Sequence, residues 1–296
     1  MRNQRRRLTR SQIITSVITV LVLALASLWL SGKLPFDNAD GNELSYDSSS
    51  VHFIDVGQGD CTLIYSQGDA VLIDTGTPDS AATVDYLAGL GIDKLDKIII
   101  THPHDDHYGG LSAMLRTFEV GEVVYMRDTE PKDDDGSIAL LDNICGGIAV
   151  AEPSIGSSFA VGDFTVTYLF CDTDAADVND RSIIVRAECF GRSFIVMGDA
   201  ESKVEEQLLT SDCDISATVL KAGHHGSSGS LSRGFVSAVA PEYVVFSCGR
   251  GNSYGHPHKS ALKSADAAGA HILRTDTQGS IVFTVTEQSL LLDTVA

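Results

Sequence analysis

None of the six cysteines (Cys61, Cys145, Cys171, Cys189, Cys213 and Cys248) stands in a C-x-x-C spacing, so the sequence offers no thiolate zinc site. Cys61, Cys189 and Cys248 lie inside apolar runs and read as small core fillers. Basic residues are scarce. The 21 lysines and arginines face 40 acidic residues, and six of the 21 fall within residues 1–33, so the remainder carries a net charge of about −25. A field of that sign repels polyanions at long range and argues against a general nucleic-acid-coating role. It leaves room for a small phosphoester or a strand end captured by metal ions. There is no internal repeat, no basic nucleic-acid module, no choline-binding repeat and no peptidoglycan module. Histidine is missing from residue 108 through residue 223, a gap that constrains any metal site the chain could build.

Residues 1–33 contain no acid and carry Arg2, Arg5, Arg6, Arg7, Arg10 and Lys33. Between Arg10 and Lys33 runs the uncharged stretch SQIITSVITVLVLALASLWLSG, 22 residues long. As a helix, at ~1.5 Å per residue, it can span a hydrocarbon core of ~30 Å. The arginines place its N-terminal flank in the cytoplasm, so the body is expected outside. A signal peptide cleaved near ALASLWLSG, with a secreted body, is the alternative; the run is long for one and no clean A-x-A site follows. Residues 35–50, PFDNADGNELSYDSSS, are polar, acidic and rich in turn formers, as a tether would be. The expected organisation is a basic tail and signal-anchor over 1–33, a linker over 34–50 and one domain over 51–296.

From residue 51 onward short β-rich runs alternate with helical ones. VHFIDV, CTLIYS and AVLIDTG predict successive strands of a meander. DSAATVDYLAGLG has a helical spacing of apolar and small residues and ends on Gly91. KIIIT predicts a strand covered on both faces. FTVTYL, SIIVRAE, RSFIVMGD, ATVLKAG, YVVFSC, HILRT and SIVFTV predict further strands, with helices over 201–210, 231–239 and 259–268 between several of them. One short helix is expected near 137–145. The pattern implies two sheets with helices on their outer faces, an α/β chain folded as one domain.

The stretch ITHPHDDHYGG, residues 100–110, gathers three histidines and two aspartates at the end of a strand-like apolar run. His102 and His104, two apart on extended chain, point to one side. Asp106 and His107 follow where Gly109 and Gly110 force a turn. Imidazole with carboxylate, and no thiolate, suits Zn²⁺, Mn²⁺ or Fe.

H-x-H-x-D-H placed this way resembles the signature of the metallo-β-lactamase superfamily. FIDVGQGDCTLI (53–64), VLIDTG (71–76), MGDAE (197–201), LKAGHHGSSGS (220–230), NSYGHPH (252–258) and RTDTQGSIVF (274–283) are similar, in order, to the hydrolase domain of ComEC-type DNA-uptake proteins and their stand-alone relatives. The multi-pass channel of such proteins is absent here, so no transport role is carried over. The resemblance implies an αββα four-layer sandwich with a di-metal site at one edge. It implies two divalent ions, Zn²⁺ expected and Mn²⁺ the alternative, and a bridging aspartate, Asp199. Many relatives place another histidine ligand in the interval that is empty here, so the substitute must come from the later histidines. We expect His102, His104 and one of His224 and His225 at the first metal, with His225 favoured. Asp106, His107 and His256 are expected at the second.

Asp74 matches an acid that orients the histidine motif in the family. Asn179 lies with Asp180 and Ser182 where the missing histidine would fall and is a candidate substrate contact, as are Ser227, Ser228 and His258. Lys221 is expected to meet an anion beside the metals, with Asp106, Asp199 and His224 completing the catalytic group. His52 and His271 read as packing. Two ions sharing a water would lower its pKa toward neutrality and clamp a phosphoryl or carbonyl oxygen. That composition favours an anchored extracellular phosphodiester hydrolase, acting on DNA or a surface phosphoester. Amide or thioester hydrolysis and a metal-stabilised scaffold in an uptake or envelope complex are the alternatives. No protein partner is readable.

Overall fold

The computed structural model describes residues 44–45, 47–127 and 137–295. The stretch expected to span a membrane lies outside them. Among the described residues no helix is long and apolar enough to cross one.

Two sheets form the body. The first has eight strands in the spatial order Leu290–Val295, Ser280–Val285, Ser49–Phe53, Thr62–Ser66, Asp69–Ile73, Lys97–Ile99, Glu122–Val124 and Ala149–Ala151. It is antiparallel as far as Asp69–Ile73 and parallel beyond. The second has seven, in the order His271–Arg274, Tyr243–Phe246, Val219–Lys221, Arg192–Val196, Ile184–Cys189, Phe164–Phe170 and Ser158–Val161. Its first four are parallel and the rest antiparallel.

Side chains alternate across a strand, so a run apolar at every position must feed two cores. Leu63 and Ile64, Val71 and Leu72, and Ile98 and Ile99 divide in this way. Ile64, Val71 and Ile99 meet Val166, Val185, Phe194 and Val219 between the sheets. Leu63, Leu72 and Ile98 face outward onto Leu87, Leu111, Met114 and Leu141, carried by helices Ala81–Gly89, Leu111–Thr117 and Ser137–Ile144. On the far side Ile195, Leu220 and Val244 pack on Val204, Leu208, Phe235 and Ala261 of helices Ser202–Thr210, Arg233–Val239 and Lys259–Ala267. The result is four layers, helix, sheet, sheet, helix.

The body starts earlier than expected. Leu44 N–H donates to Leu90 O at 3.2 Å, and Ser49 already pairs with Ser66, so the segment read as linker enters the fold at 44. His52 is buried between Ser50 Oγ and Tyr86 Oη, each 2.8 Å from a ring nitrogen. Thr101, Asp199, the paired histidines 224 and 225, and the loop 249–258 all follow the C-terminal ends of parallel strands, on one rim of the sandwich.

Candidate metal centre

The strand Lys97–Ile99 delivers Thr101 and His102, and His104 caps the single helical turn Asp105–Tyr108. That turn aims Asp106 and His107 back at the rim. Asp74, fully buried, fixes the arrangement: its Oδ1 accepts Thr101 N–H and its Oδ2 accepts Thr101 Oγ1, both at 2.8 Å. Oδ2 also lies 2.8 Å from His107 Nδ1, so that ring donates to Asp74 and turns its Nε2 toward Asp199 Oδ1, 3.1 Å away. Asp74 thus contacts both the start of the histidine motif and the ring of His107.

Asp199 follows Gly198, whose φ is +53° and where a Cβ would stand 2.7 Å from Ser182 Oγ. Only glycine permits that turn without strain. The two oxygens of Asp199 face different groups. Oδ1 lies toward His107 and toward His225 Nε2 at 3.5 Å, while Oδ2 lies 3.9 Å from His102 Nε2 and 3.8 Å from His224 Nε2. His102 Nε2 is 3.0 Å from His104 Nδ1.

His224 and His225 both have positive φ, +45° and +53°, in a tight turn after Val219–Lys221. Left-handed backbone at a non-glycine residue costs about 1–3 kcal/mol and collects at functional sites. The turn splits the pair. His225 is buried, with Nδ1 3.0 Å from Ser247 O and Nε2 3.2 Å from Asp106 Oδ2. His224 is partly exposed, its Nδ1 2.9 Å from Glu201 Oε1.

Asp106, His107, Asp199 and His225 each offer one ligand atom, and these atoms lie within 4.8 Å of one another. His225 therefore joins Asp106 and His107, not His102 and His104 as expected from the sequence. His256 stands outside that set. Its ring stacks on His225 at 6.0 Å and 28°, and its Nδ1 is 3.4 Å from the Gln58 amide. Burial, with His225 and His224 nearby, lowers the His256 pKa to about 4.

The donor set fits a divalent cation. His107 Nε2 and Asp199 Oδ1 are buried and lack a hydrogen bond of good geometry, although they face one another. Burial alone would press His107 and His225 down, but Asp199 beside both, Asp74 beside His107 and Asp60 beside His225 outweigh it and hold both pKa values well above the ordinary range. Burial would likewise raise Asp199, yet His225 and His107 hold it well below. The cluster draws positive charge to itself, as a metal site must.

Lys221 does not meet the cleft. It is fully buried, and its ammonium is held by Asp60 and by Gly198 O at 3.0 Å. The expected anion contact is replaced by a buried ion pair beneath the histidines, because Lys221 precedes the turn and points under it. Ser227 is also engaged, donating to Glu201 Oε1 at 3.1 Å, and Ser228 is exposed on the same loop. His258 packs edge-on to His256 at 5.1 Å. Asn179 does reach the cleft, an opening of about 380 Å³ whose walls include His104, Asp106, Asp199 and His224.

Residues 54–250 match the family described as the metallo-beta-lactamase superfamily. The chain belongs to that superfamily. ComE operon protein 3 of Bacillus subtilis is 31% identical over 255 residues, covering 79% of this chain and 32% of that protein. Competence protein ComA of Neisseria gonorrhoeae is 30% identical over 240 residues, covering 80% and 32%. The chain is thus a relative of the ComEC-type competence proteins and spans about a third of the length of those it matches. The solved metallo-beta-lactamase fold protein YhfI from Bacillus subtilis aligns with a TM-score of 0.55 at 12% identity, over 80% of this chain and 100% of that one, and so supports the fold alone.

Metallo-β-lactamase superfamily members are typically metal-dependent hydrolases, and the rim described above carries the candidate ligands. Three contributors were not singled out by the sequence: Glu201, Gln58 and Tyr254. Each sits inside a motif that was, DVGQGD, MGDAE or NSYGHPH, but nothing in spacing separates them from turn residues.

Proposed function

We propose that the chain is a di-metal hydrolase of phosphodiesters, anchored by residues 11–32 with its body outside the cytoplasm. The observation that carries the chemistry is the division of Asp199: one oxygen toward His107 and His225, the other toward His102 and His224. Asp106, His107, His225 and Asp199 Oδ1 would hold one ion; His102, His104 and Asp199 Oδ2 would hold the other, with His224 alongside. Two such ions supply Lewis acidity to a phosphoryl group and a water ionised near neutral pH.

The chain's own groups do the rest. Asp106, whose carboxylate is one-third exposed, accepts a proton from the attacking water at the cleft floor. His224, steered by Glu201 through Nδ1, presents Nε2 to the cleft and donates to the departing oxygen. An opening walled by imidazole, carboxylate and amide favours a polar phosphodiester over an acyl chain. Relatives named for competence make DNA the first substrate to test, with a surface phosphoester second. The acidic body favours strand ends over coated duplex.

The test is turnover of bis-p-nitrophenyl phosphate by metal-loaded full-length protein, with Asp199→Asn expected to lose at least about a hundredfold in kcat. Turnover retained in that variant puts the chemistry elsewhere. For the anchor, protease added to permeable-walled intact cells should digest the body; full protection would reverse the orientation.

A further inference from the structure

Beyond the metal ligands, the cleft mouth carries a side chain without a structural reason to be there. Tyr254 is 65% exposed, more than any other large hydrophobic residue described as exposed. Its ring does not pack into a core. It lies flat on His256, with centroids 5.6 Å apart at 21°, and His256 lies flat on His225. Three near-parallel rings thus lead from solvent to the metal-binding histidine.

The stack is held in place. Asn252 donates through Nδ2 to Gly249 O at 2.9 Å and to His256 O at 2.7 Å, and its Oδ1 accepts His256 N–H at 2.9 Å. Gln58 joins this loop to the opposite wall, its Oε1 accepting Gly249 N–H at 3.1 Å. A Cβ at Gly249 would stand 2.7 Å from Gln58 N, so the two loops are in close contact. An exposed ring on a braced loop binds with little further ordering cost.

We propose that the outer face of Tyr254 is the platform for a planar ring borne by the substrate next to its phosphodiester, a nucleobase, and that Tyr254 sets the preference for nucleotides at this subsite. This deepens the phosphodiesterase reading and rests on it. The rings lie in series and offer one flat face. A cage for a quaternary ammonium group needs aromatic faces on several sides, which this arrangement does not provide. Base-on-aromatic stacking tolerates any base, so the subsite selects nucleotides without selecting sequence.

The experiment compares two esters with one leaving group, thymidine 5′-(p-nitrophenyl phosphate) and methyl p-nitrophenyl phosphate, on metal-loaded full-length protein. Tyr254→Ala should raise KM for the thymidine ester about tenfold relative to the methyl ester, the effect of losing one stack. Tyr254→Phe should keep the wild-type ratio within about twofold, since the face is retained. Equal changes for both esters, or none, overturn the proposal, as does a rise confined to p-nitrophenylphosphocholine. If wild-type protein cleaves neither ester, the phosphodiesterase reading falls, and calorimetry with thymidine 5′-monophosphate judges the platform alone. Binding about tenfold weaker in Tyr254→Ala then supports it, and equal affinity refutes it.

Discussion

Replacing Lys221 with methionine keeps the stem of the side chain and deletes its charge. The ammonium is fully buried, pairs with Asp60 and donates to Gly198 O at 3.0 Å. Removing one member of a buried pair strands the other, at a cost of about 3–5 kcal/mol. Asp60 is not left wholly alone, because its Oδ1 is 3.3 Å from His225 Nδ1 and its Oδ2 is 3.9 Å from His107 Nδ1. The loss should therefore fall near the lower end, about 3 kcal/mol. The double variant Asp60→Asn with Lys221→Met removes both charges and should recover a substantial part of that loss, giving a coupling of at least about 1 kcal/mol. Urea denaturation of the full chain followed by circular dichroism reads both quantities from the midpoints. It is run metal-free and metal-loaded, since ions bound to the native state raise apparent stability. A Lys221→Met protein within about 1 kcal/mol of wild type, with KM for a phosphodiester raised instead, would refute this reasoning and return the lysine to the cleft.

Metal analysis of the full chain should find close to two divalent ions. Asp199→Ala should lose both, because its oxygens face both groups, and His225→Ala should lose the ion beside Asp106 and His107; unchanged content in either variant would break the ligand assignment. His52 tests the buried structure on the far side of the first sheet. Burial lowers its pKa from 6.5 to about 4, so protonation favours the unfolded chain. Its share of stability is complete above pH 6.5 and is lost as the pH falls toward 4, about 3 kcal/mol at 1.36 kcal/mol per pH unit. His52→Gln should flatten the stability profile over that window, measured by denaturation midpoints; an unaltered slope would show that His52 is not the group titrating.

Most strands were legible because their periodicity is physical. Runs such as III (98–100) and AVLI (70–73) are apolar at every position since both faces of each sheet are covered, and turn residues punctuate them. Leu290–Val295 escaped that logic. It is an edge strand with Leu291 and Leu292 exposed, so its pattern records neither core. Ser158–Val161 is only four residues long, with Ser158 and Ala160 exposed, and Ala149–Ala151 only three. The start of the domain was misplaced because Ser48, Ser49 and Ser50 read as linker, while in the fold Ser49 and Ser50 are buried in a strand.

The site was legible as a set of residues and not as a partition. H-x-H-x-D-H, MGD and AGHHG supplied the ligand types, and one rim of the sandwich does collect them. Which imidazole serves which group depends on backbone that spacing does not encode. His224 and His225 are adjacent, and on ordinary extended chain either could face the cleft. Here consecutive left-handed residues turn His225 down onto Asp106 and leave His224 at the surface with Glu201. The same turn carries Lys221 beneath the histidines, so a lysine that looks like an anion contact in sequence becomes the counter-charge of Asp60. His256 was drawn into the ligand set by its GHP context, yet it lies one ring behind His225. His256 is stacked between Tyr254 and His225. The stack thereby ties the exposed tyrosine to a histidine of the candidate metal centre.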